Sequence, residues 1–558
     1  MRRRARAAAT LVGLVVASTA CTIGGTRSAT SGTAAKRGGV FRLGIAEPTA
    51  IDPYNSQESE AENITRFDGQ NVTEALFEGL VTLNDKTSEL EPGVAEKWDH
   101  DPACSRWTFH LRAGTKFSNG EVVTAQSFID GMTRAAAASG DAASDTAHFM
   151  DGIEGYDAVH GGADGTPPAA TALSGLSAPG ATTLVVRLAR PNCEFDKLTL
   201  QPVFSPVPTV AGKADPSSAY FASPIGNGPF KMSVPWNHNQ SIIVVRNDQY
   251  YGTKAHLDEV DFAILPADTA AELEYKNFQN GRADWARIPT SLLPEARATY
   301  RPRKEFLAMP RFGTNYLLVN VANPPLNDPK ARRAVSLAID RDAVINDVFG
   351  GFQTRATSLV PPPLADYYQP GVCTACGKPD RARARTLARQ GGIPPGTKVR
   401  FSFNTGGGHE GWVQAVAQQL RDTLGLDIDL QPMSFAELVQ KEEAPDATGL
   451  YRASWGADYP SADDFLRPLL ASASVPPGDN RGRYQNREFD SLLDRALTAT
   501  DPKQKVALTK KAEKLAIGDD LALIPMWYRT QYRVYSNKFT NVSMDLFENP
   551  SLADIRRA

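Results

Sequence analysis

Trp107–Phe128 reads WTFHLRAGTKFSNGEVVTAQSF. Trp107, Phe109 and Leu111 alternate with Thr108, His110 and Arg112, the period of a strand with one buried face. Asn119-Gly120 supplies a turn, because glycine takes positive φ without steric cost and asparagine tolerates it. Thr124 stands where it can cap the short amphipathic run that follows. A strand, a turn and a helix start are therefore predicted in quick succession.

Outward from this stretch, strands and helices alternate irregularly, which points to mixed α/β lobes rather than a barrel. Val40–Ile45 reads as a first strand, Val72–Leu80 as a short helix and Thr183–Ala189 as an alternating strand. Val399–Phe403, the amphipathic Trp412–Leu424 and the alternating Leu426–Leu430 form a βαβ unit, which predicts a parallel strand pair. Asp328-Pro329 opens a helix expected to run through Val348, and Asp501-Pro502 opens another over Lys503–Ala516. The Ala/Gly-rich Ala135–Ala143 and Gly161–Ala170 read as surface loops.

Arg2, Arg3, Arg4 and Arg6 precede the apolar Leu11–Ala17, and Ser18-Thr19-Ala20 lead into Cys21. These are the marks of an export signal, and the apolar run is too short for a permanent membrane span. Residues 1–20 are expected to be a signal peptide. A small-residue cleavage site ending at Cys resembles a bacterial lipobox, which would make Cys21 the lipidated first residue. Lipoboxes usually carry Leu where Ser18 stands, and an ordinary signal peptide cut near Cys21 is the alternative. Residues 21–37 are small and polar and read as the anchor cysteine and a flexible tether. No later segment is long and apolar enough to cross a membrane, so attachment is expected through the lipid alone. Loss of the four signal arginines takes the formal charge from −3 to −7, which argues against nucleic acid. Four cysteines remain in an exported, disulfide-permissive setting. Cys373 and Cys376 form a CxxC with no second CxxC or His cluster, which favours a local disulfide over a zinc site.

Trp107–Phe128 closely resembles the segment that marks the family 5 extracellular solute-binding proteins, the peptide-binding receptors of ABC importers. LEPGVAE at 90–96, PIGNGPF at 224–230, Asn247–Tyr251 with Leu257–Val260, Asn323–Asp328 with Ala334–Asp342, and YRASWGADYPSADDFL at 451–466 are similar to further family segments, in family order. The resemblance spans roughly residues 38 to 540. It implies an α/β, periplasmic-binding-protein-like fold of two large lobes around a cleft, with a third smaller lobe inserted in the first. The first lobe would comprise residues 38–60, 200–308 and 525–558, the inserted lobe 61–199 and the second large lobe 309–524. The chain would cross between large lobes near Tyr316–Val321 and Ile524–Tyr528, forming a hinge.

An extended peptide offers a backbone, one ammonium and one carboxylate, so its receptor needs strand pairing for the middle and opposite charges for the ends. Asp458 matches the family's ammonium-binding aspartate; a loop Asp capping a turn is the alternative. Six residues earlier, Arg452 stands where oligopeptide-binding members place an arginine for the peptide carboxylate. Asn404 opens a Gly-rich loop to His409 that resembles another ligand loop of these receptors. There a histidine meets the carboxylate of longer peptides; an exposed bystander is the alternative for His409. Lys441 could replace a second family arginine if a two-residue insertion precedes Arg452. Asn323 and Gly456 stand where a related receptor has lysine and cysteine. Backbone pairing is expected from Asn55–Ser59 and from Ser454–Gly456, with Trp455 and Tyr459 walling the cleft or packing in the core.

No catalytic pattern is present. His409-Glu410-Gly411-Trp412-Val413 lacks the second His of HExxH, and neither a phosphate loop nor a Gly-x-Ser-x-Gly elbow occurs. Asp458, Asp463 and Asp464 fail EF-hand spacing, and neither a metal nor a cofactor is expected. The resemblance implies a monomeric, lipid-anchored receptor on the outer face of the bacterial cytoplasmic membrane. It would close on oligopeptides and deliver them to an ABC permease powered by its ATPase. A dipeptide, oligosaccharide or chelated metal is the alternative ligand, and an anchored sensor or interaction protein without transport the alternative role. In the family the strands beside Cys104 and Cys193 resemble antiparallel neighbours of the inserted lobe. That implies a Cys104–Cys193 disulfide; two separate buried thiols are the alternative.

Overall fold

A computed structural model describes residues 37–55, 68–84, 87–137, 144, 146–161, 166–211, 218–266, 269–405, 407–545 and 548–558. The expected signal peptide, Cys21, the tether up to residue 36, and residues 56–59 of the expected backbone-pairing segment lie outside the described residues.

Among the described residues, an eleven-stranded sheet runs through both large lobes. Its order is Asp427–Met433, Lys398–Asn404, Leu450–Gly456, Phe306–Leu318, Ile524–Tyr535, Trp285–Arg287, Val40–Ala46, Glu259–Leu265, Ser241–Arg246 and Phe230–Met232, with Thr354–Arg355 paired to Ile524–Tyr535. The predicted βαβ unit is present: Lys398–Asn404 and Asp427–Met433 are parallel, in register from Lys398↔Asp427 to Asn404↔Met433. The helix between them, Glu410–Leu424, buries Trp412, Val413, Val416 and Leu420 and stops at Gly425. Gly425 takes φ 67°, a left-handed conformation that an L side chain would strain.

The two long strands at the centre, Phe306–Leu318 and Ile524–Tyr535, are antiparallel, with a register break between Pro310 and Thr314. Before the break, Leu307 and Met309 pack on the first-lobe core around Phe41 and Phe262. After it, Phe312, Tyr316 and Leu317 join the second-lobe core. On the other strand, Trp527 belongs to the second core and Val534 to the first lobe. The crossing on the first strand therefore lies at Arg311–Gly313, ahead of the expected Tyr316–Val321, because the bulge is where the strand leaves one core for the other.

The inserted lobe is a four-stranded antiparallel sheet, ordered Ala95–His100, Arg106–Leu111, Thr183–Arg187 and Leu176–Gly180. Trp107, Phe109 and Leu111 are buried, as their alternation predicts, with Phe128, Met132 and Phe195. Packing does not follow a single cut at residue 60. Ala50 and Tyr54 lie in the inserted-lobe core, while Val72 and Leu76 of the helix Asp68–Leu76 pack on Phe41 and Phe230 of the first lobe.

Two further expectations differ from the structure. The helix opened by Asp328 ends at Ala338, and Asp340 caps a separate helix, Arg341–Asp347, by accepting from the Ala343 backbone N–H at 3.0 Å. A side chain that captures a free N–H favours a new start over continuation. Ala135 and Ala136 are buried in the helix Ala125–Ala137 rather than in a surface loop, because their small side chains fit against the inserted-lobe core.

Candidate functional site

The strand Leu450–Gly456 pairs along one edge with Phe306–Leu318, from Leu318↔Tyr451 to Gly313↔Gly456. On its other edge it meets Lys398–Asn404 only at Leu450 and Tyr451. From Arg452 to Gly456 that edge has no strand partner among the described residues. Side chains alternate along a strand, so Arg452, Ser454 and Gly456 share one face and Ala453 and Trp455 the other.

Arg452 is only 4 % exposed. Among the described residues its Nε has no hydrogen-bond partner and no carboxylate lies within ion-pair distance. Burial pushes its pKa down to about 10, opposed by Glu442 and reinforced by the positive charge of Arg529. A buried guanidinium without a counter-ion is costly, so the arrangement favours an incoming anion.

His409 lies within reach of the same charges. Its Nδ1 accepts a hydrogen bond from Trp412 Nε1–H at 3.2 Å, and its Nε2 is buried without a partner among the described residues. Burial, then Arg452 and Arg529, push its pKa down to about 3. The imidazole is therefore neutral near pH 7, and with Nδ1 accepting, the ring proton sits on Nε2. The ring is part-buried, with an Nε2–H that no group accepts among the described residues. Asn404 is fully buried at the end of its strand, and among the described residues its Oδ1 has no partner. Its amide and the His409 ring converge over Gly407, where any side chain would collide with the imidazole.

Asp458 is 7 % exposed at the far end of the free edge. Its loop is fastened three ways: Ala457 N–H donates to Phe312 C=O at 2.7 Å, Asp458 N–H donates to Asp464 Oδ2 at 2.7 Å, and Gln201 Nε2 donates to Asp458 C=O. Next to it, Ser461 Oγ donates to Glu194 Oε2 at 2.6 Å, tying the loop to the inserted lobe. Burial pushes Glu194 up, but Lys197 and Lys505 outweigh it and hold the carboxyl at about 2. Trp455 packs half-buried against the second-lobe core with its Nε1 unpartnered, and burial, then Asp464, pushes the Tyr459 phenol well up.

Lys441 is not brought to this group. On the helix Phe435–Glu443 it is exposed, whereas the adjacent Glu442 is buried and pairs with Arg481 at 3.3 Å. One residue turns a helix by about 100°, so the pair cannot both face inward. Arg529 was not foreseen: the strand Ile524–Tyr535 reads as a hinge crossing, and nothing in its local pattern sets Arg529 apart. The structure joins Cys104 to Cys193, with Cα atoms 5.0 Å apart, and Cys373 to Cys376, at 5.3 Å. Among the described residues no cluster of His, Cys, Asp or Glu is placed to hold a metal, and no helix is long and apolar enough to cross a membrane.

Two lobes sharing a sheet, with a strand edge unpaired among the described residues and the buried Arg452 beside it, suit a receptor that binds a solute between its lobes. Residues 89–476 match the bacterial extracellular solute-binding proteins, family 5 Middle, and the chain belongs to that family of binding proteins, which are not enzymes. It is 29% identical over 501 residues to the probable deoxycholate-binding periplasmic protein YgiS of Escherichia coli, covering 88% of each chain. With the oligopeptide-binding protein OppA of Bacillus subtilis it shares 28% identity over 540 residues, 94% of each. The solved structure of the Escherichia coli murein tripeptide-binding protein MppA superposes with a TM-score of 0.71 at 26% identity, covering 94% of this chain and 99% of that one.

Proposed function

We propose that this protein is the oligopeptide receptor of an ABC importer, acting as a monomer. The observation that carries the reading is Arg452, buried with no carboxylate within ion-pair distance among the described residues, on an unpaired strand edge that leads to Asp458. The free edge takes the peptide backbone as an added strand. Arg452 and the His409 Nε2–H take the carboxylate, while Asp458 takes the ammonium. Closure about the two central strands removes water from these charges and presents the loaded form to a permease and its ATPase. The names of OppA and MppA support a peptide ligand; Asp458 separates it from a steroid acid such as deoxycholate, which has a carboxylate and no ammonium.

Calorimetry with trialanine and its N-acetyl form tests this. The free peptide is expected to bind and the acetylated one to be rejected, since acetylation removes the ammonium and leaves a desolvated carboxylate unpaired. Equal affinities would overturn the assignment.

The receptor is further proposed to be held on the outer face of the cytoplasmic membrane by lipid on Cys21. Cys21→Ser is expected to move it from the membrane fraction to the soluble extracytoplasmic fraction, since stable anchoring requires more than one acyl chain. Unchanged retention on fractionation would point to a different anchor.

A further inference from the structure

Arg529 stands out because the structure makes room for it and leaves it poorly matched. A Cβ on Gly313 would come within 2.7 Å of Arg529 Cδ, and one on Gly456 within 3.3 Å of its terminal nitrogen. Neither glycine has positive φ, so neither is required by its backbone conformation. What their missing side chains provide is space, and the guanidinium fills it, lying across the free-edge strand on the face of Arg452 and Ser454.

The charge placed there is only loosely held by the protein. Glu548 is the sole carboxylate within ion-pair distance of Arg529 among the described residues, at 3.5 Å. That carboxylate already takes Arg311 at 3.1 Å, Arg533 at 3.2 Å and the Gln531 amide at 2.8 Å. Three arginines share Glu548, Arg311 also has Asp545 beside it and Arg533 has Glu274, and Arg529 is the one held furthest from the shared carboxylate. Its side chain is 24% exposed, unlike the buried Arg311 and Arg533.

We infer that Arg529, cradled by Gly313 and Gly456, is a specificity residue that selects ligands carrying a carboxylate beyond the terminal one: acidic peptides. The inference rests on the peptide reading above. Arg452 and His409 hold the terminal carboxylate, and Arg529 meets a glutamate or aspartate side chain projecting from the peptide strand toward the same face.

Calorimetry on the mature protein with Ala-Glu-Ala, Ala-Ala-Glu and their Gln isosteres tests it. In the wild type, the Glu peptide is expected to bind about tenfold or more tighter than its Gln isostere at one of the two positions. Arg529→Gln should bring that ratio close to one, and Arg529→Lys, which keeps the charge, should hold it above one. Equal Glu and Gln affinities in the wild type, or a ratio that survives in Arg529→Gln, would overturn the inference and leave the peptide reading standing. Failure of all four peptides to bind would overturn the peptide reading and this inference with it.

Discussion

Asp458→Ala is expected to weaken tripeptide binding by about 2–5 kcal/mol, roughly thirty- to five-thousand-fold, with the fold intact. The loss is large because the ammonium would be sealed in a closed cleft without its counter-charge. The loop keeps its backbone fastenings, so the variant is expected to stay folded. The Asp458 N–H on Asp464, the Asp458 carbonyl under Gln201 and the Ala457 N–H on Phe312 all survive truncation of the side chain. Calorimetry should therefore show lost binding, and a thermal melt should still show a cooperative transition of the folded variant. The substitution should also erase the discrimination between free and N-acetylated peptide. An Asp458→Ala protein that still prefers the free amine would place the ammonium elsewhere.

Replacing Cys104 and Cys193 together by Ala is expected to destabilise the protein by about 4–5 kcal/mol, before any native strain. The two cysteines are 89 residues apart in sequence, and cross-linking so long a segment removes much of the freedom of the unfolded chain. The neighbouring geometry gives the bridge a second role. Asn192 N–H donates to Cys104 C=O at 3.0 Å, and Trp107 Nε1–H to Asn192 C=O at 3.1 Å, so the bridge reinforces a seam between two ends of the inserted sheet. Beyond the seam, Cys193 N–H donates to Leu497 C=O at 2.9 Å and Cys193 C=O accepts from Lys505 Nζ at 3.2 Å, both on the second large lobe. Denaturant unfolding of the double variant measures the loss, and non-reducing peptide mapping of the exported protein reads the pairing directly. A free Cys104 thiol, or a double variant of unchanged stability, would contradict the expectation.

How much of this was legible beforehand depended on the range of the interaction concerned. The alternation in Trp107–Leu111 reports burial because neighbours along one strand see opposite faces, and the structure buries the expected face. The βαβ unit from residue 398 to 433 was legible for a similar reason: the change of period from strand to helix and back is local. The helix from Asp328 was less so, because Asp340 competes as a cap and a sequence pattern does not say which start prevails. Lys441 and Glu442 show the limit more sharply: both are charged, and only the rotation of their helix against Arg481 decides which is buried.

By itself, then, the sequence determined the family, the strand that carries Arg452 with the turn to Asp458 after it, and the absence of a catalytic pattern, since each is written in contiguous residues with strong local chemistry. Only the tertiary structure decided that His409 is a neutral donor, because Trp412 fixes its tautomer while burial and two distant arginines suppress its charge. It also decided where the chain crosses between lobes and why Gly313 and Gly456 are bare. Arg529 comes to them from more than 70 positions along the chain, and which pairs meet across a sheet is set by register between strands rather than by the spacing of residues within one.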